Sequence, residues 1–119
     1  MRTIEVTNSE NRSTVCETCA VADRLLPRMR GLLGRRALKP GEGIVIRPAP
    51  SIHTFFMRFP IDAVFLARNG DVLKVSSDVK PWRIRSQRKA HAVLELPAGE
   101  AQRRSVAAGD RLLFGETPS

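Results

Sequence analysis

The sequence predicts a mainly β domain, a β-rich α+β fold with a compact barrel-like or sandwich architecture of about eight short strands and two short helices. Three observations predict it. Apolar and polar residues alternate over short runs instead of recurring at helical spacing. Turn-forming residues interrupt these runs at intervals of roughly ten positions, as in all-β domains. The chain has 119 residues, the length of one domain. That is enough to bury roughly two-thirds of the unfolded surface without a disulfide or metal staple. Residues 1–114 are expected to form the globular unit, with residues 115–119 a flexible tail.

Taken in order, Thr3 to Thr7 places Ile4 and Val6 on one face, the pattern of a half-buried strand. Asn8-Ser9-Glu10-Asn11 is turn-rich, and Thr14 to Ala22 reads as the hairpin partner. Asp23 resembles an N-cap, after which Leu25, Leu26, Met29, Leu32 and Leu33 share one helical face. Gly31 and Gly34 weaken and end that helix. Gly43 to Ile46 is a short apolar strand, stopped by Pro48-Ala49-Pro50. Ile52 to Phe59 alternates and is expected to be a full strand. Ile61 to Ala67 and Val72 to Val75 flank Asn69-Gly70, a strong hairpin signal. Pro81 to Ile84 and Ala92 to Leu96 are two further strands. A short polar helix is expected between Pro97 and Ala107, and Arg111 to Phe114 is the last strand.

The formal net charge is +8, carried mostly by arginine. Such a balance admits nucleic acid, acidic partners or anionic surfaces, although arginine used simply as a solvated cation is the favoured explanation. No apolar run approaches the roughly 20 residues of a membrane span. The N-terminus has no apolar core segment of a signal peptide, so a cytoplasmic location is expected.

Four features carry candidate chemistry. Cys16-Glu17-Thr18-Cys19 is a CxxC. In a regular strand, residues three apart face opposite sides and lie about 10 Å apart, too far for a disulfide. The expectation is one buried and one near-surface thiol, without redox or metal chemistry. His53 and Asp62 can be drawn as an acid/base pair, against the simpler reading of hydrogen-bonded residues at the ends of a packed strand. The basic residues Arg24, Arg28, Arg35, Arg36, Lys80, Arg83, Arg85, Arg88 and Lys89 are a candidate basic patch in two clusters, of which the second, Lys80 to Lys89, contains Trp82. One Trp and no Tyr make a thin stacking platform for nucleic acid. Gly31-Leu32-Leu33-Gly34 lacks the Lys-Ser/Thr of a phosphate-binding loop.

An ordered set of short motifs goes further. Arg30 to Arg35, Gly41-Glu42-Gly43, His53-Thr54-Phe55-Phe56-Met57-Arg58-Phe59-Pro60-Ile61-Asp62, Pro81-Trp82-Arg83, Val93 to Gly99 and Gly109-Asp110 follow one another. Together they resemble the prokaryotic family catalogued as domain of unknown function 192, from about Arg2 to Phe114. The resemblance implies a compact β-rich fold. It implies no activity, cofactor or catalytic residue, and it marks His53, Phe56, Met57, Pro60, Asp62, Trp82 and Glu95 as signature positions. Many members of that family are exported. The cysteines lie outside its pattern.

The functional expectation is a non-enzymatic module binding a small ligand or protein, with a candidate pocket of His53, Phe56, Met57, Arg58, Asp62, Trp82 and Glu95. A hydrolase-like or lyase-like enzyme using His53 and Asp62 is the alternative. Non-specific nucleic-acid binding through the arginine-rich surface is the third reading. No metal or cofactor is expected.

Overall fold

The computed structural model describes residues 3–22, 37–54 and 58–115, and of His53 only the backbone. The helix expected after Asp23, the basic residues Arg24, Arg28, Arg35 and Arg36, the site residues Phe56 and Met57, and nearly all of the expected tail lie outside the described residues.

Among the described residues nine strands and one helix follow in order: β1 (Thr3–Asn8), β2 (Thr14–Ala22), β3 (Glu42–Ile46), β4 (Ser51–His53), β5 (Ile61–Leu66), β6 (Val72–Val79), β7 (Ile84–Ser86), β8 (Ala92–Pro97), α1 (Glu100–Arg103) and β9 (Leu112–Gly115). Seven of them form one sheet in the order β6-β5-β8-β3-β2-β1-β9. Its pairings are antiparallel except β2 with β3. The remaining two, β4 and β7, pair as a separate antiparallel ribbon.

The large sheet curls into a half-barrel, so that its two edges meet. Asp71 bridges to Arg111. The Val72 N–H donates to the Asp110 carbonyl at 2.8 Å, and the Leu112 N–H donates to the Gly70 carbonyl at 2.9 Å. Arg111 Nε lies 2.8 Å from Asp71 Oδ1 across the same seam. Closing a sheet on itself removes exposed edges that would otherwise pair with other chains.

Alternation along the strands divides the core into two layers. Ile4, Val6, Val64, Leu66, Leu94 and Leu96 belong to the first. Ile44, Ala63, Phe65 and Val93 belong to the second, where Ile52 of β4 and Phe59 join them. The β4–β7 ribbon therefore covers the second face.

Several expectations are corrected. The strand expected over Ile52 to Phe59 is only three residues long, because Thr54 leaves the ladder to bond the chain at Lys80 and Arg83. Pro81 to Ile84 is a turn that enters β7, not a strand. The return strand expected over Val72 to Val75 runs on to Val79 as β6, and the helix expected between Pro97 and Ala107 is a single turn.

The last correction concerns the cysteines. Ile4 pairs with Cys19 and Val6 with Cys16, so two residue steps on β1 oppose three on β2. This β-bulge puts both cysteine side chains on the face of Ile4 and Val6, since antiparallel partners point the same way. Both thiols are free, wholly buried, and in the first core layer.

Gly70 is needed where the seam closes. Its φ is +95°, and a β-carbon there would strike the Leu112 carbonyl oxygen. Gly70→Ala is expected to lower unfolding stability by about 2 kcal/mol, since strained backbone and a displaced seam act together. Urea denaturation of the two proteins measures it.

Candidate functional site

Of the residues that sequence reasoning placed in a pocket, the turn tied to the ribbon presents Trp82. Thr54 follows β4 and is fully buried. Its hydroxyl donates to the Lys80 carbonyl at 2.6 Å and accepts from the Arg83 N–H at 2.8 Å. Its own backbone N–H donates to the Arg83 carbonyl at 2.9 Å, and its carbonyl accepts from the Trp82 N–H at 3.1 Å. Four hydrogen bonds thus bolt the 80–83 turn to the ribbon. At the tip, Trp82 has φ +65°, a left-handed conformation that a bulky residue rarely adopts.

The turn holds Trp82 outward. Trp82 is 56% exposed and Ile84 60% exposed, the reverse of what large apolar side chains usually do. Lys80, Arg83, Arg88 and Lys89 are exposed around them, and Arg85 is half-buried. Among the described residues none of these five cations has a carboxylate partner. The guanidinium groups of Arg83 and Arg85 donate to nearby carbonyls, of Pro81, Trp82 and Ile84. Arg58 is also exposed.

The two acidic site residues take opposite faces of the sheet. Asp62 alternates with Ile61 and Ala63 along β5 and so faces the first layer. It is fully buried, with Oδ1 accepting from the Asp78 N–H at 2.9 Å and Oδ2 from the Ala101 N–H at 3.0 Å. Its carboxylate therefore ties the β6 backbone and the start of α1 to β5. The strand carrying His53 packs on the other face through Ile52. The expected His53–Asp62 acid/base pair thus loses its carboxylate to a structural role.

Glu95 lies in β8 opposite Ile44 and Ala63, and so faces the second layer beneath the ribbon's side of the sheet. It is 3% exposed, and burial alone pushes its carboxyl up to about 8. A carboxyl held neutral at pH 7 can donate a hydrogen bond as well as accept one. Glu100, the other buried glutamate, accepts from the Gly41 N–H at 2.9 Å and pairs with Arg103 and Arg104. Among the described residues no cluster of three His, Cys, Asp or Glu could hold a metal ion.

Trp82 with its cations, and Glu95 beneath the sheet's covered face, are therefore two separate features, while Asp62 belongs to the opposite face. A shallow depression lined by Val75, Ser77, Ala101, Gln102, Val106 and Ala107 lies elsewhere and holds none of the expected site residues. Sequence reasoning missed Thr54 and Ile84. A buried Thr hydroxyl tied to a turn distant in sequence leaves no periodic mark, whereas Ile84 between two arginines was a visible signal.

Residues 4–114 match the family model of domain of unknown function 192, described as uncharacterised. The chain belongs to this family. An uncharacterised UPF0127 protein of Pyrococcus furiosus is 36% identical over 98 residues, which is 76% of this chain and 81% of that one. Its counterpart in Pyrococcus horikoshii is 33% identical over 114 residues, 90% of this chain and 95% of the relative. Among solved structures, a Sinorhizobium meliloti protein provisionally designated a transcription regulator superposes with a TM-score of 0.81 at 26% identity, covering 94% of this chain and 92% of that one. A protein of unknown function from Novosphingobium aromaticivorans has a TM-score of 0.80 at 21% identity, covering 93% and 83%. The second likeness shows the fold alone. The half-barrel described above is thus a fold of the domain of unknown function 192 family. Among the described residues no helix is long and apolar enough to cross a membrane.

Glu95 gives a pH signature. Its carboxyl is raised from the ordinary 4.5, so the folded state keeps a proton that the unfolded chain releases. Its contribution is full below about pH 4.5, falls as pH rises, and levels off above about pH 8. Glu95→Gln removes this one-proton slope. Relative to wild type, the variant is expected to gain a few kcal/mol on going from about pH 5 to about pH 9. Denaturant titrations of both proteins at the two pH values test this.

Proposed function

We propose that the protein is a non-enzymatic binding module that takes an anionic partner on the outer surface of the β4–β7 ribbon. The observation that carries this reading is the Trp82 turn. A bulky residue is held in a left-handed conformation in a turn tied by four bonds to buried Thr54, and it is exposed among cations that have no carboxylate partner among the described residues. Strain of this kind persists where the surroundings over-determine it, and it concentrates at functional positions. Trp and Arg together are the residues that anchor interfaces most strongly. The aromatic ring and Ile84 supply apolar contact, while Lys80, Arg83, Arg85, Arg88 and Lys89 supply charge.

Single-stranded nucleic acid is the second reading, favoured by the exposed ring lying between Lys80 and Arg83 in sequence. Bases stack on such rings with little sequence preference. The designation of the Sinorhizobium relative as a transcription regulator points the same way by name only. Catalysis by His53 and Asp62 finds no support, because both Asp62 oxygens already hold backbone N–H groups.

Trp82 is the single tryptophan and the chain has no tyrosine, so intrinsic fluorescence reads the proposed surface directly. Titration at low salt with an acidic peptide and with a short oligonucleotide is expected to change that emission for one of them. Binding should weaken steeply with added salt, as counterion release demands. Trp82→Gly is expected to abolish binding, followed by calorimetry, while leaving stability equal or up to about 1 kcal/mol higher, because glycine relieves the left-handed strain. No response to either anionic probe at low salt would sink the proposal.

A further inference from the structure

The β2 bulge assembles a second chemical feature, unrelated to the ribbon. In a regular strand Cys16 and Cys19 would be about 10 Å apart on opposite faces. Because two steps on β1 match three on β2, their Cα separation is compressed to about 6.6 Å at ~3.3 Å per step. Disulfides span Cα separations up to about 6.8 Å. The two thiols face the same core layer and are completely buried. Packing holds Cys16 in place: a β-carbon on Gly43 would lie 3.0 Å from its Sγ, and the thiol donates to the Gly41 carbonyl at 3.4 Å. That carbonyl belongs to a half-buried turn.

We propose that Cys16 and Cys19 are a peroxide-oxidisable dithiol, which closes across the β2 bulge into an intramolecular disulfide. Hydrogen peroxide, a water-sized oxidant, is the co-reactant. The Cys16 sulfur attacks one peroxide oxygen, the O–O bond breaks, and the departing hydroxide takes up the Cys16 thiol proton and leaves as water. Cys19 sulfur then attacks the Cys16 sulfenic sulfur, the S–O bond breaks, and the Cys19 proton leaves with that oxygen as a second water. Both sulfurs are oxidised and one peroxide is reduced to two waters. The order of roles follows from the pair itself. The neighbouring Cys19 thiol lowers the pKa of Cys16, while the Cys16 thiol and burial raise that of Cys19.

The test treats the folded, full-length protein with hydrogen peroxide, quenches it, denatures it with an alkylating reagent, and weighs it. The expected product has lost the mass of two hydrogen atoms, takes up no alkyl group until reduced, and migrates as a monomer without reductant. Cys16→Ala and Cys19→Ala should show no such loss of hydrogen under the same treatment. Two alkylated thiols after excess peroxide, oxygen added without loss of hydrogen, or a disulfide-linked dimer would each overturn the proposal. If a variant fails to fold, the mass and alkylation count of the wild-type protein still decide.

Discussion

The central pair β5–β8 sets the terms for the rest of the molecule. All six residues of each strand are buried, so both faces of this pair must be covered. On one face the sheet covers itself, by curling until β6 and β9 meet at Asp71 and Arg111. On the other, Ala49, Phe59 and the β4–β7 ribbon lie across Ile44, Ala63, Phe65 and Val93. The ribbon's position, and hence the outward turn at Trp82, is a consequence of that second requirement.

Two carboxyls on this doubly buried pair illustrate how the face decides the chemistry. Asp62 falls where β6 and α1 bring backbone N–H groups to both of its oxygens, so it serves the architecture. Glu95 falls on the opposite face, opposite Ile44 and Ala63, and burial alone governs its proton. The two residues differ by a single methylene, and it is their surroundings that separate them.

Local irregularities carry the features that matter for recognition and reactivity. Thr54 ends β4 after three residues and spends its hydrogen bonds on a turn nearly thirty positions away, which is why the longer alternating run from Ile52 to Phe59 does not become a longer strand. The bulges between β1 and β2 break the period of two at the cysteines, so an argument from regular strand geometry places them wrongly. Both cases are departures from periodicity imposed by a partner segment.

Alternation and turn chemistry by themselves determined a great deal. They located β1, β2, β3, β5, β8 and β9 to within a residue or two, and Asn69-Gly70 marked the β5–β6 hairpin. The ordered motifs pointed to the family that the chain belongs to. Only the tertiary structure decided which face each strand turned to which layer, because period-two alternation defines two faces without saying what covers them. It was that assignment which moved Asp62 away from His53's side, left Glu95 neutral beneath the ribbon's face, and brought Cys16 beside Cys19. The mainly β fold was legible because it is written in local periodicity. The site was not, because it is made by long-range pairing that interrupts that periodicity.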